Sequence, residues 1–212
     1  MYFITRIKFF VFNSLSNFIT DNVTNMSWML SCCVALKKIN FSNFNTNEVT
    51  KMNRMFNNCK SLQELNLNNF NTINVTDMNG MFSGCESLKK LYINNFDTKN
   101  VTSMKSMFEE CILLKELNIN NFNTINVIDM NGMFIKCESL KKLNLNNFNN
   151  HKVKDMREMF EKCNSLEELN IDNFIFNDEI QLDYMFSGLS NPLKDKLKNR
   201  TKGYNYNFKI FL

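Results

Sequence analysis

Apolar residues in this chain recur in fixed columns. Phe stands at 18, 44, 70, 96, 122, 148 and 174, a spacing of 26 residues with no slippage. Val holds 23, 49, 75, 101, 127 and 153. Met holds 26, 52, 78, 104, 130 and 156, and again 29, 55, 81, 107, 133, 159 and 185. Cys holds 33, 59, 85, 111, 137 and 163, and Leu holds 36, 62, 88, 114, 140 and 166. A constant period of about 20 to 50 residues marks stacked repeats, in which no unit buries its apolar face alone.

Residues 59–85 give one unit. Leu62-x-x-Leu65-x-Leu67 ends in an alternating pair, the period of a half-buried strand of about three to five residues. Val75, Met78, Met81, Phe82 and Cys85 follow at steps of three and four, which predicts a short helix with these residues on one face. Asn74 or Thr76 is placed to cap that helix and Gly84 to end it. The fold class expected is therefore α/β: a solenoid with a parallel sheet on one wall and short helices on the other. It divides into an N-terminal cap or degraded leader (1–14), seven 26-residue units (15–190) and a basic C-terminal cap or tail (191–212). The last unit loses Val and Cys and meets Pro192 where the next strand would start. Residues 194–203 read as helical, and 204–212 alternate as a final strand would.

Two segments carry a resemblance. Leu62-x-x-Leu65-x-Leu67 resembles the strand motif of leucine-rich repeats. The run Asn69-Phe70-Asn71-Thr72-x-Asn74-Val75-Thr76-x-Met78-x-x-Met81-Phe82-x-x-Cys85 is similar to the BspA-like surface protein repeat. The likeness covers about residues 15–190 and departs from the common leucine-rich consensus at Phe70, where Asn or Cys is usual, with Asn69 one residue earlier. It implies a horseshoe-like solenoid. It further implies a surface or adhesin-like protein that binds host matrix or another protein.

The columns divide into structural and chemical candidates. The Asn column before Phe (Asn43, Asn69, Asn95, Asn121, Asn147) reads as structural, because Asn tolerates a left-handed backbone at a sharp strand exit and its amide can satisfy the adjacent unit. The Cys column (Cys59, Cys85, Cys111, Cys137, Cys163) lacks CxxC or Cys/His metal spacing, and Leu189 replaces Cys in the last unit. Such a position wants a small buried hydrophobe and fits a reduced thiol ladder. Equivalent residues roughly 5 Å apart would also allow a disulfide. Cys32 alone lies off the ladder. The Met–Phe pairs read as core. Asp77, Asp129 and Asp155 share a column at the expected helix start, where a carboxylate favours the dipole.

On the outer strand face, Lys38, Glu64, Lys90, Glu116, Lys142 and Glu168 alternate in sign. In an in-register parallel sheet they become neighbours about 4.8 Å apart. The next column is Asn40, Asn66, Tyr92, Asn118, Asn144 and Asn170, with Tyr92 its lone aromatic. Because interaction hot spots favour Trp, Tyr and Arg, the candidate partner-binding face is Asn66, Tyr92, Asn118, Asn144, Lys90 and Lys142.

Composition agrees with that reading. Among 212 residues there are 39 Asn and 21 Phe but only 5 Gly and 1 Pro, which excludes collagen-like and flexible low-complexity classes. The net charge of +4 belongs to the tail, where six Lys or Arg face Asp195 between 194 and 212 (+5), leaving the remainder at −1. Nucleic-acid binding through the body is not expected, and the basic tail is the segment suited to acidic surfaces. No apolar run is long enough to span a membrane. Arg6, Lys8 and the short apolar run 9–12 fall short of a secretory h-region. Localisation thus divides: surface or secreted by resemblance, cytoplasmic from the weak leader and free thiols.

Catalysis needs converging titratable groups. His151 stands alone, and no phosphate loop, nucleophile elbow or carboxylate pair occurs. The expectation is a non-enzymatic protein-binding module with no cofactor and no metal, its partner a protein of unknown identity. The alternative is an intracellular scaffold or fragment without a ligand of its own.

Overall fold

The computed structural model describes residues 18–201 and 208–212. The expectations for 1–14, and for the tail residues 204–207, lie outside the described residues. Short strands, one helix and a 3-10 turn make up the regular structure: β1 (Glu64–Asn66), β2 (Lys90–Tyr92), β3 (Lys142–Asn144), β4 (Glu168–Asn170), α1 (Asn191–Arg200) and a 3-10 segment at Phe208–Ile210. Strands β1 and β2 pair in parallel, Leu65 opposite Leu91, and β3 pairs with β4, Leu143 opposite Leu169. Both registers are one 26-residue step, and no closed barrel forms among the described residues. The expected single sheet is interrupted at 116–118, which takes no strand conformation.

The second wall corrects the sequence reading. No helix lies at 75–85 or its equivalents; each holds a run of tight turns instead. In residues 78–85, the Met81 N–H closes on Met78 O, Ser83 on Gly80 O and Cys85 on Phe82 O. The intervening amides of Met78, Gly80, Phe82 and Gly84 instead donate one unit along, to Ser103, Lys105, Met107 and Glu109 O at 2.8–3.2 Å. Two residues per unit adopt positive φ, as at Gly80 (+58°) and Gly84 (+74°), the third positions of two turns. The equivalents are Arg54 and Asn58, Ser106 and Glu110, Gly132 and Lys136, Glu158 and Lys162.

Stacking distance explains why steps of three and four fail to make a helix here. Phe56, Phe82, Phe108, Phe134, Phe160 and Phe186 stack face to face at 5.6–5.9 Å, one ring per unit. A helix is about 10–12 Å across with its side chains and cannot repeat at half that spacing. Turns keep the apolar side chains inward and free every second amide to bond the neighbouring unit.

Gly84 therefore ends no helix, and Asn74 and Thr76 cap none. Asn74 Nδ2 donates to Asn47 O (2.8 Å) and Thr76 Oγ1 to Thr50 O (3.3 Å), both one unit back. Asp77, Asp129 and Asp155 serve turns rather than a helix dipole, accepting the N–H two residues on at 2.8–3.0 Å. Backbone bridges run through the same column, from Asn25 through Lys51, Asp77, Ser103, Asp129 and Asp155 to Gln181.

Val, Met, Phe, Cys and Leu columns between 49 and 166 are buried almost completely and form one core cluster. A polar column runs through it. Thr46, Thr72, Thr98 and Thr124 are buried, and each hydroxyl both accepts from and donates to one backbone unit of the next turn. Thr98 Oγ1 accepts from Asn123 N–H (2.8 Å) and donates to Asn123 O (2.9 Å). At the equivalent place Asn150 does the same with its amide, to Ile175 O and from Ile175 N–H. Two hydrogen bonds from each buried hydroxyl thus tie successive units at a point with no strand ladder.

The C-terminal end is covered by α1, entered through Pro192 in its first turn, with Leu193 and Leu197 buried. Residues 208–212 lie against the last unit: Tyr184 N–H donates to Lys209 O, Phe186 N–H to Ile210 O, and the Phe211 ring sits 5.4 Å from Phe186. Where the alternation predicts a strand, 208–210 is a 3-10 turn.

Candidate binding face

Asn66, Tyr92, Asn118 and Asn144 are exposed on the outer strand side, as are Lys90 and Lys142. Alternation places them there: Leu65, Leu143 and Leu169 point inward between them, and Leu91 and Leu117 are partly buried. Tyr92, at 36% exposure, sits between two shallow depressions. One, of about 640 Å³, is lined by Lys38, Asn40, Glu64, Asn66 and Asn68 among others. The other, of about 340 Å³, is lined by Glu116, Asn118, Lys142, Asn144 and Glu168 among others.

The Asn side chains of this face have their acceptors engaged. Asn40, Asn66, Asn118 and Asn144 each take, on Oδ1, the backbone N–H two residues on (2.9–3.2 Å). That is the local turn bond Asn favours, and it fixes which end of the amide faces outward.

Charge pairing along the alternating column is partial. Lys38–Glu64 (3.7 Å) and Lys142–Glu168 (2.5 Å) pair, whereas among the described residues Lys90 and Glu116 form no ion pair. A neighbouring row was missed: Lys37, Gln63, Lys89, Lys115, Lys141 and Glu167, all exposed. Its signal was present, since it occupies the same 26-residue period one residue after the Leu column.

The Asn column before Phe bonds backward to the preceding unit. Asn69 Nδ2 donates to Phe41 O (2.9 Å), Asn121 to Phe96 O (2.7 Å) and Asn147 to Phe122 O (2.9 Å), while Asn95 reaches Asn68 O (2.7 Å). None of these Asn has positive φ; the left-handed positions lie in the turn wall instead.

The Cys column offers no reactive group. Cys59, Cys85, Cys111, Cys137 and Cys163 are free and buried, and each Sγ donates to the carbonyl 29 residues back at 3.0–3.4 Å. Burial pushes Cys85 and Cys163 up to about 12 and raises the others, so these thiols stay protonated. Cys32 is half-buried in a left-handed turn beside Ser31. Asp155 is raised by its burial and lowered more by hydrogen bonds and charge from Arg157, with a net downward shift. His151 is exposed and its Nδ1 lies 2.8 Å from Asn149 Oδ1. Among the described residues no three His, Cys, Asp or Glu gather as metal ligands, and no helix is long and apolar enough to cross a membrane.

A family model described as a Mycoplasma protein of unknown function, DUF285, matches residues 2–92 and again 87–199. Neither the curated proteins nor the solved structures include a match to this chain.

Proposed function

The chain belongs to the DUF285 family, and from that premise we propose that it is a non-catalytic protein-binding module. In this reading residues 15–190 form one solenoid of seven BspA-like leucine-rich turns, whose strand face holds a partner protein. The observation that carries it is the outer strand face itself, which groups exposed Asn and Lys with Tyr92 beside two depressions, whereas the turn wall bonds every second amide to the neighbouring unit. Exposed polar surface next to an aromatic anchor is suited to a protein interface rim and centre. No cofactor enters this reading, and neither nucleic acid nor a membrane is needed as partner.

A photo-crosslinking residue placed at Tyr92, and a control at Asp77 on the turn wall, test it in the full chain. Adducts with a discrete protein from Tyr92 and none from Asp77 are expected; equal adducts from both sites would overturn the assignment.

A further inference from the structure

We infer that the strand face is a donor-rich surface that takes an acidic, extended segment of the partner protein. This rests on the reading that the strand face binds protein, and adds the partner's chemistry. Two independent observations carry it. First, Asn40, Asn66 and Asn144 spend their Oδ1 on their own turns, and none of their Nδ2 groups has a partner among the described residues. Each therefore holds its oxygen in the turn and presents its N–H donors outward. Asn118 also gives its Oδ1 to its turn, but its Nδ2 donates a long bond (3.5 Å) to Asn94 Oδ1.

Second, although Lys38 and Lys142 pair with Glu64 and Glu168, four other lysines of this face lack a carboxylate. Lys89, Lys90, Lys115 and Lys141 are exposed on three successive units and form no ion pair among the described residues. Elsewhere Lys60, Lys136 and Lys154 each have a carboxylate within 3.0 Å on an adjacent unit. Lysine adds three more donors and no acceptor, so both rows ask for carboxylate and carbonyl oxygens.

The same columns choose between acidic ligands. Glu64, Glu116 and Glu168 interrupt the positive rows at alternate units, and Glu167 ends the Lys row. A uniform polyanion would meet a carboxylate at each of them, at a Coulomb cost, whereas a polypeptide can place its acids opposite Lys and neutral residues opposite Glu. Tyr92 is the face's lone aromatic, too little for a run of stacked bases. An acidic polypeptide segment is favoured over nucleic acid or a sulfated glycan.

The probe is a fluorescently labelled peptide in which Glu alternates with Ser, titrated against the full chain at low and high salt, with heparin and single-stranded DNA as competitors. Binding is expected to weaken with salt and to fall about tenfold or more when Lys89→Glu, Lys115→Glu and Lys141→Glu are combined. Asn66→Asp with Asn144→Asp keeps the turn acceptors, removes the donors and is expected to weaken binding without lowering the melting temperature. Lys196→Glu with Lys198→Glu on α1 is expected to change nothing. Absence of peptide binding, or unchanged affinity in the triple variant, overturns the inference while Tyr92 crosslinking still judges the face. Stronger binding of heparin or DNA that the triple variant abolishes overturns it in favour of a polyanion site. Loss on the α1 variant alone overturns both readings, since the tail would then be the binding element.

Discussion

The two walls of this protein are written in the same 26-residue period, yet they spend it differently. In the turn wall every second amide bonds the next unit, a Phe stacks on a Phe, and a buried Thr hydroxyl bridges the backbone. In the strand wall only β1–β2 and β3–β4 are regular, and the side chains on either side of the inward leucines point to water. The comparison teaches that bonding between units concentrates in one wall, while the other leaves its outer side chains free for the partner proposed above. Such a division lets the binding columns vary without unfolding the stack.

The largest expected break in that division is alkaline. The Cys column lies at the end of each turn run, and burial holds Cys85 and Cys163 at about 12 against an ordinary 9.0. A thiol whose folded pKa is raised contributes nothing different below pH 9; above it the unfolded chain loses protons that the folded chain keeps, so stability falls as pH rises toward 12. The loss is on the order of 4 kcal/mol per such thiol. Denaturant melts from pH 8 to 11 should show a steepening decline that Cys85→Ala with Cys163→Ala makes shallower. In the native state at pH 8, a thiol reagent should modify Cys32 and spare Cys59, Cys85, Cys111, Cys137 and Cys163.

Phe108→Ala sharpens the comparison next. Its ring is fully buried between Phe82 and Phe134 at 5.6 Å on each side, so truncation should cost about 3–5 kcal/mol in denaturant unfolding. Leu91→Ala on the strand wall, only partly buried, should cost less than half of that. Thr98→Val leaves the Asn123 N–H and C=O without their bridge and should cost about 1–3 kcal/mol. Thr98→Asn should recover most of it, because Asn150 already fills that role.

Smaller effects separate the left-handed turn positions from the strand face. Gly84→Ala introduces a Cβ 2.4 Å from Asn58 Oδ1 at φ +74° and should destabilise by about 1–3 kcal/mol. Ser106→Gly, relieving a non-glycine residue at φ +53°, should stabilise by up to about 1 kcal/mol. Lys142→Gln, which removes the exposed pair with Glu168, should change stability by about 0–1 kcal/mol.

Much of this division was legible from the columns. Strict spacing placed Phe, Met, Cys and Leu inside, and the alternation at Leu65 and Leu67 placed Asn66 outside. The helix was misread because steps of three and four describe any backbone that returns side chains to one face, and consecutive tight turns do so as well. What decides between them is the stacking distance, which no single unit's sequence contains. The Thr column was visible as a period but silent as chemistry, since Thr looks like an ordinary turn residue until its neighbour's backbone is seen to lack another partner. The outward Nδ2 groups were illegible for the same reason: only the turn bond to Oδ1 shows which end of the amide is free.

Amide hydrogen exchange resolved to single residues tests the central claim most directly. If the turn wall holds the stack, the amides of Phe56, Phe82, Phe108, Phe134 and Phe160, which donate to the next unit, exchange only with global unfolding. The amides of Asn71, Asp97, Asn123 and Asn149, held by threonine hydroxyls, should share that protection, while 116–118 exchange much faster. Fast exchange in the Phe column beside slow exchange through 116–118 would place the stabilising ladder in the strand wall and contradict this account.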